Sequence, residues 1–315
     1  MATPDKFDEV LRSAGVGRRY EGDIAWLNEL ATTVPVCVDG VLEKLRKEAQ
    51  DDETYVRDIP DVLSGVSDDK TFNAMAFEHC GQYVIAVNYG VLILVHDLVN
   101  RLLCLPEIFP WIGNPSLEDA RREFHPTNSD AMEYMRAFIA EPKRVIPKDP
   151  VRRDAAKLLF VAAIEFIVSH ELWHILGGHV RWDASCMGER SLAEVGNNRR
   201  LPNGIAYQAL EMDADAFAVW VSLLRSLALA AAPHDVGNFS RVITNQVQAV
   251  ETTIICALVM VGAFLGGKST PAEWAELSCP PAGVRHGMNI AAADRALRRL
   301  GEHEVRARTT GNMCP

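Results

Sequence analysis

Apolar residues recur at three- and four-residue intervals over most of the chain, which is the period of a helix with one buried face. The N-terminal stretches 4–15, 22–32 and 37–50 follow it and predict three helices, the first closed by Gly15. Residues 51–70 are acidic and rich in breakers, so they read as loop. "QYVIAVN" at 82–88 is β-branched and aromatic and lies between Gly81 and Gly90; it is the best strand candidate. A helix over 90–105 stops at Pro106, and 106–150 holds Pro, Gly and Asn with one helical piece at 129–141. The next helix, "AAKLLFVAAIEFIVSHELWHIL", takes Asp154 as its cap and ends at Gly177-Gly178. A polar loop at 181–204 precedes helices near 205–232, 239–265 and 288–307. The pattern predicts an α+β fold, mostly helical, with a small sheet. It divides into an N-terminal helical region, 1–70, and a main domain, 71–315, with an insertion near 106–150.

Composition narrows the function classes. The 315 residues carry a formal charge of −10, so no basic excess is available to neutralise phosphates, and a nucleic-acid partner is not expected. Arg152-Arg153 and Arg298-Arg299 read as solvated helix faces. Seven cysteines at irregular spacing, with no CxxC, read as reduced thiols of a cytoplasmic protein. The first residues lack the basic start and apolar core of a secretory signal. Residues 252–267 carry no charge but fall short of a membrane span, and a buried core helix is the expectation. Because 216–232 is also very apolar, membrane association through 216–265 is the alternative.

The chemistry concentrates in "FIVSHELWHILGGH" at 166–179. His170 and His174 are four apart, so on a helix they project from one face, one turn apart, as two imidazoles gripping one Zn²⁺ require. Glu171 follows His170 directly and sits beside such a metal, placed to move the proton of an activated water. This is the HExxH arrangement. The bland alternative is a buried helix with satisfied histidines, but a dry helix with two imidazoles and a carboxylate is costly without a metal or partners.

A hydrolytic zinc site wants a third protein ligand and one open position. His179 is one candidate, although it arrives one residue earlier than the HExxHxxGxxH spacing demands, and its alternative role is a cap or hydrogen bond after the helix end. The second candidate lies in "QALEMDADAF" at 208–217. Glu211 and Asp215 share a helix face there; Glu211 would complete a His₂Glu set and Asp215 would accept the second N–H of a ligating imidazole. Small Ala214 would let the two helices approach, and Asp213 reads as a surface or structural residue pointing away.

With H-E-L-W-H at 170–174 and E-M-D-A-D at 211–215, the chain resembles the gluzincin metallopeptidases and their HExxH plus ExxAD signature. The resemblance implies a zincin-like core with an HExxH active-site helix. It also implies zinc on His170, His174 and Glu211, Glu171 as general base and acid, and Asp215 orienting a ligand histidine. Residues 73–92 are similar to the segment preceding the metal helix in that family, where an edge strand lines the cleft and an extended substrate pairs with it. "SCPPAGVR" at 278–285 is similar to a later HPP stretch with a following arginine, although Cys279 replaces the histidine. Arg285 is thereby implied as a substrate or oxyanion group. Within gluzincins, the insertion and length look most like the Lit-type phage-exclusion peptidases of bacteria, which cleave a translation elongation factor during phage infection.

Oxyanion candidates are Tyr207, His234 and His286, each with a bland reading as a surface or capping residue. His79 and Cys80 are sequence neighbours in a strand, hence opposed in direction and a poor catalytic dyad. The expected function is a zinc endopeptidase acting on a protein or peptide. The alternative is a non-catalytic or regulatory zinc protein whose metal only staples helices.

Overall fold

The computed structural model describes residues 4–22, 25–51, 59–118, 145–187, 191–193, 204–231, 242–264, 280 and 282–311. The fold is α+β and mostly helical, with a four-stranded sheet. Helices α1 (Pro4–Ser13), α2 (Ala25–Ala31) and α3 (Thr33–Asp51) precede strands β1 (Val62–Ser67), β2 (Ala74–His79) and β3 (Gln82–Asn88). Then come α4 (Tyr89–Leu103), α5 (Pro150–Leu176), α6 (His179–Met187), β4 (Ser191–Ala193), α7 (Gly204–Ala231), α8 (Gln246–Phe264) and α9 (Ala282–Gly311).

The sheet runs β1-β3-β2-β4, with β1 parallel to β3 and the other two pairs antiparallel. A two-residue turn joins β2 to β3, and both of its residues, Cys80 and Gly81, have positive φ (50° and 79°). That conformation matches the twist of a hairpin and removes Cys80 from either strand. The unbroken apolar run of β3 reflects burial on both faces. Tyr83, Ile85 and Val87 enter the main core, while Val84 and Ala86 meet Phe7 and Leu11 of α1.

Three expectations change here. Residues 51–70 are not all loop: β1 lies in them. Gly65 and two serines weaken its sequence signal, and pairing with β3 is what makes it a strand. A boundary at residue 70 therefore cuts through one sheet, and the main core draws on residues from Tyr20 to Ala293. The strands of 73–92 are also not the sheet's edges; those are β1 and β4, because β4 pairs outside β2 at Met75–Phe77. The helical piece at 129–141 lies outside the described residues.

Helix α5 is the spine, packed against α3, α4, α7, α8 and strands β2 and β3. From Leu158 to Leu176 none of its residues is exposed, as in a helix enclosed on all sides. Its cap lies five residues before the predicted one: Asp149 accepts a hydrogen bond from Arg152 N at 2.9 Å, Pro150 takes the first turn, and Asp154 instead pairs with Lys157 at 3.1 Å. Arg152 is not a solvated residue. Its guanidinium is buried and donates to the backbone carbonyls of Leu103, Leu105, Ile108, Phe109 and Ile112 at 2.7–3.0 Å. The charge thus satisfies an irregular loop that would otherwise bury bare carbonyls. Arg153, Arg298 and Arg299 are exposed.

Helix α8 starts at Gln246, not near 239, because Asn245 Oδ1 caps it by accepting from Gln248 N at 3.0 Å. Helices α5 and α7 are long and apolar enough to cross a membrane by length and composition; 83% of the α5 window and 44% of the α7 window is buried within the protein. The four cysteines with described side chains, Cys37, Cys80, Cys104 and Cys256, are free thiols.

Candidate metal centre

Helices α5 and α7 pack against each other and bring the two halves of the site together; Ala214 and Ala218 of α7 are both fully buried. His170 Nε2 lies 3.0 Å from His174 Nε2 and 3.4 Å from Glu211 Oε2, and His174 Nε2 lies 3.5 Å from Glu211 Oε1. Three ligands held about 2.05 Å from one tetrahedral zinc would be ~3.3 Å apart, so the donor set fits such an ion. His170, His174 and Glu211 form the group of metal-type donors found among the described residues, and all three are buried. Glu171 is fully buried beside them and belongs to none of these contacts.

Each imidazole is held from behind. Asp215 Oδ1 lies 3.0 Å from His170 Nδ1, the bond that fixes a ligand tautomer with Nε2 free. Asp215 is in turn gripped by Arg285, whose Nε and Nη2 donate at 2.7 and 2.5 Å. Burial alone would raise the Asp215 carboxyl, but Arg285 and the His170 hydrogen bond together outweigh it and hold the group down at about 2. Glu211 follows the same logic: burial pushes up, and the surrounding histidines bring it below the ordinary carboxylate range.

Arg285 differs from the place the resemblance implies. It is wholly buried and bidentate on Asp215, so its charge is committed to the site's support rather than to a substrate or oxyanion. Tyr207 is likewise buried and donates its hydroxyl to Asp183 on α6. His286 lies next to Arg285 on α9, half-buried; His234 and Cys279 lie outside the described residues. His79 meets Ser13 Oγ at 3.1 Å while Cys80 sits in the exposed turn, so no dyad forms.

His179 does not join the three donors. Its Nδ1 lies 2.9 Å from His174 Nδ1, on the side of that ring away from Glu211. Asp213, read from sequence as pointing away, accepts from Trp173 Nε1 at 2.6 Å and faces His179 Nε2 at 3.4 Å. Trp173 also stacks on Phe217, with centroids 4.4 Å apart. The signal for this cluster was Gly177-Gly178, which marks a tight turn but does not say what the turn brings together. Comparisons with protein-family models, curated proteins and solved structures return no match.

The site carries a pH prediction. Burial lowers His174 from 6.5 to about 3, so the folded chain keeps the ring neutral. Between those values the unfolded chain binds the extra proton, so this contribution is complete above pH 6.5 and is lost as pH falls toward 3. The chelator-treated protein should lose about 2 kcal/mol between pH 8 and pH 5, read as a falling urea midpoint at constant slope. A flat midpoint over that range would show that His174 is not held neutral.

Proposed function

We propose that the chain is a zinc-dependent peptidase of gluzincin type, built on a zincin-like core. The observation that carries this reading is the tetrahedral-edge spacing of His170, His174 and Glu211, all three buried. His170, His174 and Glu211 would hold the zinc, which when bound would supply Lewis acidity toward a carbonyl and a bound water. Glu171, next to His170 on the helix, accepts the proton lost from the attacking water and returns it to the leaving amine. Asp215 keeps His170 in its ligand tautomer, and Arg285 keeps Asp215 charged. The substrate class is a protein or peptide, and edge strand β4 offers backbone groups with which an extended chain can pair. Cysteine usage supports a cytoplasmic location; a setting in bacterial anti-phage defence rests on the Lit-type sequence resemblance.

One observation favours a second reading, a zinc staple without catalysis: His170, Glu171 and His174 are no more than 1% exposed. Two measurements separate the readings. Zinc analysis should find about one ion per chain in the wild type, with affinity reduced at least ~100-fold in Glu211→Ala. A proteome-wide search for new N-termini, in cells expressing wild type or Glu171→Gln, should find cleavage products only with the former. Bound zinc with no products in either strain supports the staple; no bound zinc ends both readings.

A further inference from the structure

We infer that His179 and Asp213 form a positioning relay that orients His174, the counterpart of the Asp215–Arg285 arm behind His170; this rests on the zinc reading above. The relay is made by the end of α5. Gly178 turns the chain at φ +77°, a conformation that disfavours any residue with a Cβ. A Cβ on Gly177 would fall 2.9 Å from both His179 Nε2 and Trp173 O, so Gly177 clears the space into which the His179 ring folds back.

The hydrogen-bond sense then follows from chemistry. His174 presents Nε2 to His170 and Glu211, so Nε2 is its ligand atom and its proton sits on Nδ1. That N–H points at His179 Nδ1, 2.9 Å away, which must be bare to accept it. The His179 proton is thereby on Nε2, facing the Asp213 carboxylate at 3.4 Å. Asp213 favours that tautomer, and Trp173, from within the H-E-L-W-H motif itself, donates to the same oxygen at 2.6 Å and keeps it in place. One turn further along α6, Asp183 receives the Tyr207 hydroxyl, so α6 is fastened to α7 at a second point.

A residue that only docks α6 needs bulk; a relay needs an acceptor where His179 Nδ1 lies. His179→Leu supplies bulk alone, whereas Asn places its Oδ1 near that position. Zinc affinity should be measured by chelator competition on the full chain, with the Co²⁺ absorption spectrum reporting ligand-field geometry. His179→Leu should weaken zinc about 10- to 100-fold and alter the cobalt spectrum, and His179→Asn should restore most of both. The chelator-treated variants should melt at similar temperatures. Equal affinities for Leu and Asn overturn the relay. If His179→Leu does not fold, Asp213 decides: Asp213→Leu weakens zinc and Asp213→Asn, which keeps an acceptor oxygen, does not, and equality there overturns it. A wild type that binds no zinc overturns the relay and the proposed function together; tight wild-type binding unchanged in His179→Leu overturns the relay alone.

Discussion

Glu171→Gln should lower turnover about 10³- to 10⁴-fold while zinc content stays at the wild-type level. The two halves of this result come from one geometric fact. Glu171 sits between His170 and His174 in sequence, yet the three mutual donor contacts run among His170, His174 and Glu211. Gln keeps the volume and helix preference of Glu, so α5 and the donors it carries are undisturbed. What Gln cannot do is take up a proton. A site that merely stapled α5 to α7 would have no use for a fully buried carboxylate at this position, since burial disfavours its charge. The decisive measurement is single-turnover cleavage at saturating substrate beside zinc analysis of the same sample. Undiminished cleavage would remove Glu171 from the chemistry; lost zinc would make it a ligand.

The main helices were legible because burial imposes a period on the residues that form them. The HExxH spacing was legible for the same reason: two residues four apart must share a face. Glu211 and Asp215 could be paired with that face because carboxylates in so apolar a helix need a cation nearby. The supports were not legible. Arg285 is seventy positions from the Asp215 it grips, and Arg152 binds carbonyls at the end of α4 and in the loop after it, up to forty-nine positions away. Nothing local distinguishes either from an arginine on a solvated face, since only the tertiary fold removes their water. Asp213 misled because helical geometry turns it away from Glu211. The turn at Gly177-Gly178 brings His179 up to meet it. β1 was hidden by Gly65 and its serines, since its strand character comes from pairing with β3 rather than from its own composition.

Arg285→Met should destabilise the chelator-treated protein by about 3–5 kcal/mol, the range for breaking a buried ion pair from one side. The argument is one of charge left behind. Asp215 is 1% exposed and ionised because Arg285 compensates it; without the guanidinium, its hydrogen bond to His170 is the main contact left to offset the desolvation. On the zinc reading, bound metal would change the size of the effect: His170 would carry a cation on its other nitrogen, and Asp215 would regain an electrostatic partner through the ring. The loss should therefore be smaller in zinc-saturated protein, and zinc should raise the melting temperature of Arg285→Met more than that of the wild type. Adding Asp215→Asn should recover much of the stability, since it removes the stranded charge, but not the zinc affinity, since a neutral amide is a weaker partner for the His170 N–H. The test is a double-mutant cycle on denaturant midpoints with and without zinc. Simple additivity of the two substitutions would show that Arg285 and Asp215 act independently. A cycle that closes with strong coupling, weakened by zinc, would mean that α9 is fastened to the fold through the same carboxylate that aims His170.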